Sequence, residues 1–159
     1  MLFLLSIMME KLNLPTFNYK LQTEDKKTKI FDALRKKYLV LTPEEWVRQH
    51  IIHFLIHHKG YPQGLIALEK GLKLNQLNKR TDILVYSKSG KPILMVECKS
   101  AKVKITQAVF DQIASYNLHY KLPYLLVSNG LEHYCAKINF KKSNFNFLNE
   151  LPAYEDLHF

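Results

Sequence analysis

The sequence predicts an α/β fold in the order helix, three strands, helix, two strands, with a central mixed sheet flanked by helices. Three observations predict it. A well-capped helix begins at Thr42, two strands within 81–99 are apolar on both faces, and a second helix over 105–121 separates them from a strand pair over 124–140. Strands covered on both sides belong to the middle of an α/β sheet. The 159 residues suffice for one domain with a substantial core. Residues 1–41 read as an N-terminal arm packing on that core, and 42–159 as the domain itself.

The arm is the least legible part. Its first eight residues are apolar but too few to span a bilayer. They lack a basic lead and are followed by Glu10-Lys11 rather than a small-residue cleavage site. A packed or disordered tail is the expectation, and Met8 or Met9 could equally start translation. Tyr19-Lys20-Leu21 fits a short strand and 24–29 an exposed turn; 30–41 fits either a helix or a strand-like arm. Thr42 is a good N-cap, Pro43 suits the first helical position, and Glu45 three residues on completes a capping box. Val47, Ile51, Phe54, Leu55 and His58 recur at helical spacing, and Gly60 can end the helix. Residues 65–74 read as a strand broken near Gly71. Over 81–99 two strands flank a Ser89-Gly90 turn. The next helix carries Ile105, Val109, Ile113, Tyr116 and Tyr120 on one stripe until Pro123. Residues 124–128 form a strand, Asn129-Gly130 reads as a two-residue turn, and 131–140 return as a strand.

The formal net charge of +9 favours an acidic partner, nucleic acid before membrane. The two cysteines, Cys98 and Cys135, form neither a disulfide framework nor a zinc pattern and fit a reduced, cytoplasmic setting. His53 and His57 are four apart but lack the intervening Glu of a zinc-protease helix, and no phosphate-binding Gly-x-x-x-x-Gly-Lys-Ser/Thr loop occurs.

If Ser89-Gly90 is a two-residue loop, counting along the ladder puts Asp82 opposite Glu97, with Cβ atoms roughly 5 Å apart. Lys99, two residues from Glu97, projects to the same face, while Cys98 points away as a core thiol. Two acids and a lysine on otherwise apolar strands need a reason. A strand-end salt bridge is the bland one. A hard-cation site is the sharp one, because carboxylate oxygens suit Mg²⁺, and a neighbouring lysine could position water and offset developing charge.

The arrangement resembles the PD-(D/E)xK nuclease superfamily, and more narrowly the nuclease domain at the N-terminus of type I restriction enzyme R subunits. Asp82, then Glu97-Cys98-Lys99 as the (D/E)xK triplet, and Gln112-Ile113-Ala114-Ser115-Tyr116 as a QxxxY element carry the resemblance over 42–140. Thr81 stands where the name-giving motif has Pro. The resemblance implies a restriction-endonuclease-like core and Mg²⁺-dependent cleavage of DNA, with Mn²⁺ as a substitute. It implies metal ligation by Asp82, Glu97 and the backbone carbonyl of Cys98, a water-positioning Lys99, and support from Gln112 and Tyr116, whose inward-pointing Gln112 amide would hold the site. A glutamate on the first helix reaches the metal through water in relatives. Glu44 and Glu45 both qualify by type; Glu44 shares the inward stripe and is chosen, with Arg48 one turn later as a phosphate or ion-pair partner. Lys70, Lys73, Lys79, Arg80, Lys102 and Lys104 gather around the site in sequence and would suit a phosphate backbone. Other restriction-modification subunits or a second copy of the chain are expected partners, and no membrane. Two other classes stand beside the hydrolase: a catalytically weak nucleic-acid-binding module working with a partner subunit, and a structural domain whose charges merely pair.

Overall fold

The computed structural model describes residues 2–68, 71–74 and 77–159, with the backbone alone for 71–74, 77–80 and 119. The chain opens with helix α1 (Leu2–Met8), from which Leu5 and Met8 pack on the core. A three-stranded antiparallel meander follows: β1 (Leu21–Glu24), β2 (Lys27–Asp32) and β3 (Lys37–Val40). Then come α2 (Pro43–His58), β4 (Ile66–Leu68), β5 (Gly71–Leu74), β6 (Leu77–Arg80), β7 (Ile83–Tyr86) and β8 (Pro92–Cys98). Helix α3 (Gln107–Tyr120), β9 (Tyr124–Ser128), β10 (His133–Asn139) and β11 (Asn144–Leu148) complete the order. Six strands form the main sheet in the order β11-β10-β9-β8-β7-β4, while β5 and β6 pair apart as a hairpin. Among the described residues, β8 and β9 are the parallel pair of the main sheet, and α3 is their crossover.

Both faces of the central strands are dry, as their apolar runs demand. On one face Ile83, Val85, Leu94, Val96 and Leu126 pack with Val47, Ile51 and Leu55 of α2. On the other, Leu84, Met95, Leu125 and Val127 pack with Phe110, Ile113 and Ala114 of α3. Each such side chain contributes about 1.5–3 kcal/mol on full burial. Leu12, Ile30 and Leu41 of the arm are buried in the α2-side core, so the arm is a working part of that layer.

Two turns differ from the sequence expectation. The β7–β8 loop has three residues rather than two. Ser87 N–H donates to the Lys91 carbonyl (2.7 Å) and Gly90 N–H to the Ser87 carbonyl (2.9 Å), with Gly90 at φ +83°, a positive angle that glycine adopts without strain. That extra residue shifts the pairing to Tyr86 opposite Pro92. A bulge then restores it, so that Val85 faces Leu94 and Ile83 faces Val96. The two single-residue shifts cancel, so Ile83–Val96, the last pair of the ladder, lies on the register that the two-residue count gave, with Asp82 and Glu97 the next residue along each strand. The β9–β10 turn has four residues, not two, since Ser128 pairs with His133. Asn129 Oδ1 accepts from Leu131 N–H (2.9 Å) and Glu132 N–H (2.8 Å), an Asx turn that needs the longer loop. The arm seals it: Asn13 N–H donates to the Gly130 carbonyl at 2.8 Å.

An aromatic strap holds the arm along α2. Phe17 stacks on His53 with ring centroids 3.9 Å apart and meets His50 edge-on at 4.8 Å. His50 Nδ1–H donates to the Trp46 carbonyl at 2.8 Å. Burial lowers the pKa of both histidines from the ordinary 6.5; His57 and His50 lower that of His53 further, and Asp32 opposes them. The native state therefore holds these rings neutral, whereas the unfolded chain takes up protons near the ordinary value. Stability is present above that value and is lost as pH falls through it towards the lower native pKa. The urea midpoint is expected to drop between about pH 7.5 and pH 5.5, and to drop less in His53→Phe; a wild-type midpoint flat over that range contradicts the assignment.

Candidate metal and phosphate site

The site lies where β7 begins and β8 ends. Asp82 stands one residue before β7, half-buried, and its Oδ2 accepts the Cys98 backbone N–H at 2.7 Å. That bond pins the carboxylate over the middle residue of the Glu97-Cys98-Lys99 triplet. Glu97 is 6% exposed, and by alternation it shares the α3 face with Met95. Lys99 is half-buried, and its backbone N–H donates to the Ser128 carbonyl at 2.8 Å, carrying the β8–β9 pairing one residue past the strand end. The triplet is therefore held from both sides, by Asp82 on one neighbour and by β9 on the other.

Helix α2 brings its N-terminus to the same end. Glu44 is at the solvent rim, yet its carboxyl pKa is raised, first by the packing that partly desolvates it and then by the Asp82 charge; Lys99 and Arg48 pull it back. Glu44 thus feels both Asp82 and Lys99. The thiol of Cys98 is fully buried and its pKa is pushed well up, by burial first and then by Asp82, Glu97 and Glu44, with Arg48 opposing. A thiol held neutral in this way is a core group, not a nucleophile.

Sequence reasoning missed the polar seam behind these residues. Thr42 Oγ1 accepts the Glu45 N–H at 3.0 Å, one half of the expected capping box. The Glu45 side chain does not return to Thr42. It turns inward instead, pairing with Arg48 and accepting from Gln49 Nε2 at 2.8 Å. The same Gln49 nitrogen reaches Asp32 Oδ2 of β2 at 3.2 Å. Asp32 and Gln49 are fully buried, and Glu45 and Arg48 nearly so. The signal available was the Glu45, Arg48, Gln49 spacing on an otherwise apolar helix face; Asp32 could not be foreseen without the arm's topology.

Gln112 corrects another expectation. It is exposed on α3 rather than turned inward, because Ile113, Ala114 and Asn117 take the buried face; Tyr116 is half-buried. Lys102 and Lys104 are exposed on the loop between β8 and α3. Lys70 and the side chains of Lys73, Lys79 and Arg80 lie outside the described residues, although the backbone places Arg80 at the end of β6, two residues before Asp82.

Among the described residues, no group of three or more His, Cys, Asp or Glu side chains could by itself hold a metal ion. The donors offered are the Asp82 carboxylate, held on the Cys98 N–H, the buried Glu97 carboxylate, whose Oε1 has no hydrogen-bond partner, and the main-chain carbonyl between Glu97 and Lys99. That set fits Mg²⁺, which keeps several waters and takes few protein oxygens, and does not fit a closed structural zinc site. Among the described residues no helix is long and apolar enough to cross a membrane.

Residues 43–152 match the model of a family described as the type I restriction enzyme R protein N terminus. Among solved structures, a fragment described as an HsdR subunit of a type I restriction enzyme from Vibrio vulnificus YJ016 is similar at 20% identity with a TM-score of 0.38. The match covers 58% of this chain and 17% of that one. Comparison with curated proteins gave no match.

Proposed function

The chain belongs to the family of type I restriction enzyme R protein N termini, and from that premise we propose that it hydrolyses phosphodiester bonds of DNA with Mg²⁺, as a PD-(D/E)xK nuclease domain. The observation that carries the reading is the Asp82 carboxylate bonded to the Cys98 N–H at 2.7 Å, between Glu97 and Lys99. Asp82, Glu97 and the Cys98 carbonyl would hold the cation, with Mn²⁺ as a substitute. When bound, the cation supplies Lewis acidity to the scissile phosphate and acidifies water. Lys99 positions the attacking water and offsets charge that grows on the phosphate. Glu44, with its pKa raised and Asp82 nearby, is suited to hold a water proton. Tyr116, half-buried on α3, would support the phosphate from that side, whereas Gln112 is exposed. Lys79, Arg80, Lys102 and Lys104 favour the DNA backbone, whereas Arg48 takes the ion-pair role, buried against Glu45. Partners in a restriction-modification assembly, a second copy of the chain and a cytoplasmic setting belong to the same proposal.

The small donor set favours one other reading, a nucleic-acid-binding module that needs a partner subunit to cut. Plasmid DNA incubated with the protein and Mg²⁺ separates the two. Wild-type protein is expected to nick or linearise the plasmid, EDTA to stop it, and Asp82→Ala to remove the activity. Equal cutting by wild type and Asp82→Ala refutes the site. Salt-sensitive binding without cutting favours the module.

A further inference from the structure

A cleft of about 330 Å³ opens between the start of α3 and the β10–β11 edge, lined by Thr106, Gln107, Phe110, His133, Tyr134 and Phe147 among others. We infer that this cleft binds an unpaired nucleobase, so that the preferred substrate strand is single-stranded beside the cleavage site; the second clause rests on the nuclease reading above.

Register ties the cleft to the candidate site. Glu97 pairs with Val127, and Val127 with Tyr134. The three residues form one row on one face of the sheet. Tyr134 is two strand spacings from Glu97, roughly 10 Å. The next row towards the sheet interior runs from Met95 through Leu125 and Ala136 to Phe147.

The walls are aromatic and partly open. Phe147 is 48% exposed although it packs against Phe110 at 4.8 Å and Tyr134 at 6.2 Å between ring centroids. Phe145 meets the same ring edge-on at 5.4 Å; a ring held in place by three others and still half in water is a ready stacking surface. His133 is fixed by Ser128 Oγ at Nδ1 (2.7 Å) and by the Asn13 carbonyl at Nε2 (3.0 Å), and by alternation it belongs to the opposite face from Tyr134, so Tyr134 and Phe147 are the rings left to stack.

Charge decides what kind of occupant fits. Exposed Lys102 and Lys104 stand on the loop entering α3, whose first turn carries no acidic residue. Asp111, held by the Gln107 amide at 2.7 Å, and Glu132 are the acids beside the cleft. Cations on the adjoining loop and aromatic rings in the cleft match a polyanion that also presents flat apolar faces. Base stacking on aromatic side chains beside a basic track is how single strands are held, and a base paired inside a duplex has no free face to give.

The test reads binding, not cleavage. Phe147→Trp protein is titrated in EDTA with oligo(dT) and with an abasic oligomer of equal length, which keeps the phosphates and lacks the bases. Oligo(dT) is expected to quench the new indole, and the abasic strand is not. Phe147→Ala is expected to weaken oligo(dT) binding about five- to a hundredfold and leave the affinity for a blunt duplex unchanged. Equal emission with both oligomers, or unchanged oligo(dT) affinity in Phe147→Ala, overturns the inference. So does self-association of the protein that buries the indole in the absence of DNA. Plasmid cutting with Asp82→Ala is scored separately, so quenching without metal-dependent cutting removes the nuclease reading and keeps the cleft.

Discussion

Lys99→Ala is expected to lower Mg²⁺-dependent DNA cleavage by about 10²–10³-fold while Mn²⁺ binding, followed by calorimetry, stays close to wild type. Lys99 supplies no ligand oxygen, so its loss falls on the reaction step and not on cation uptake; Asp82→Ala is expected to lose both. A second readout distinguishes this role from a structural one. Lys99 pulls down the raised carboxyl of Glu44. Removing the ammonium therefore raises that carboxyl further, and a reaction needing ionised Glu44 has its acid limb moved to higher pH. Residual activity of Lys99→Ala should thus gain more from alkaline buffer than wild type does. Glu44→Gln in the same background should abolish that gain. Unchanged rates, or an acid limb moved downward, would remove Lys99 and Glu44 from the mechanism together. Lys99→Arg keeps the charge but exchanges a compact ammonium for a broad planar group, so partial recovery is the expected result there.

The residues of this site were readable to different depths, for physical reasons. Asp82, Glu97 and Lys99 stood out because charges are costly on strands that are otherwise apolar on both faces. Their register was legible for a reason the sequence did not reveal. The count assumed a two-residue loop, while the chain uses a three-residue loop with Gly90 at φ +83° and then recovers the register with a bulge. Local turn chemistry could not expose that compensation, because a bulge is set by the strand's neighbours. The β9–β10 turn failed similarly: Asn129-Gly130 reads as a tight hairpin turn, yet the Asn129 side chain caps two N–H groups in a longer loop. Strand β11 went unread although Asn144-Phe145-Asn146-Phe147 alternates polar and apolar, because the run is short and buries little. Gln112 was turned the wrong way because an amide interrupting an apolar stripe can belong to either side of a helix boundary. The arm was opaque because its strands are short, lysine-rich and mostly solvated, so their one decisive residue, Asp32, has its meaning only against α2.

That residue leads to the largest stability effect expected in the molecule. Glu45→Ala is expected to destabilise the fold by about 3–5 kcal/mol, read as a lowered urea midpoint and a melting temperature lower by roughly 10 °C for a chain of this size. Glu45 is 4% exposed and meets both Arg48 and Gln49. Truncating it takes a carboxylate from beside the interior Arg48 guanidinium and leaves Gln49 with one acceptor fewer. Most of the loss is thus a penalty on groups left behind, not the worth of the pair. It follows that removing the other charge as well should recover part of the loss. Glu45→Ala with Arg48→Met should be more stable than Glu45→Ala alone, with a coupling of about 0.5–3 kcal/mol across the double-mutant cycle. Additive losses would mean that water already shares the pair. A Glu45→Ala midpoint close to wild type would mean that the seam from Asp32 to Arg48 does not hold the arm to the helix. The double variant also separates stability from function: with the fold recovered and Arg48 gone, any remaining cleavage defect reports what the guanidinium does beside Glu44 and Cys98, the two groups on which its charge acts.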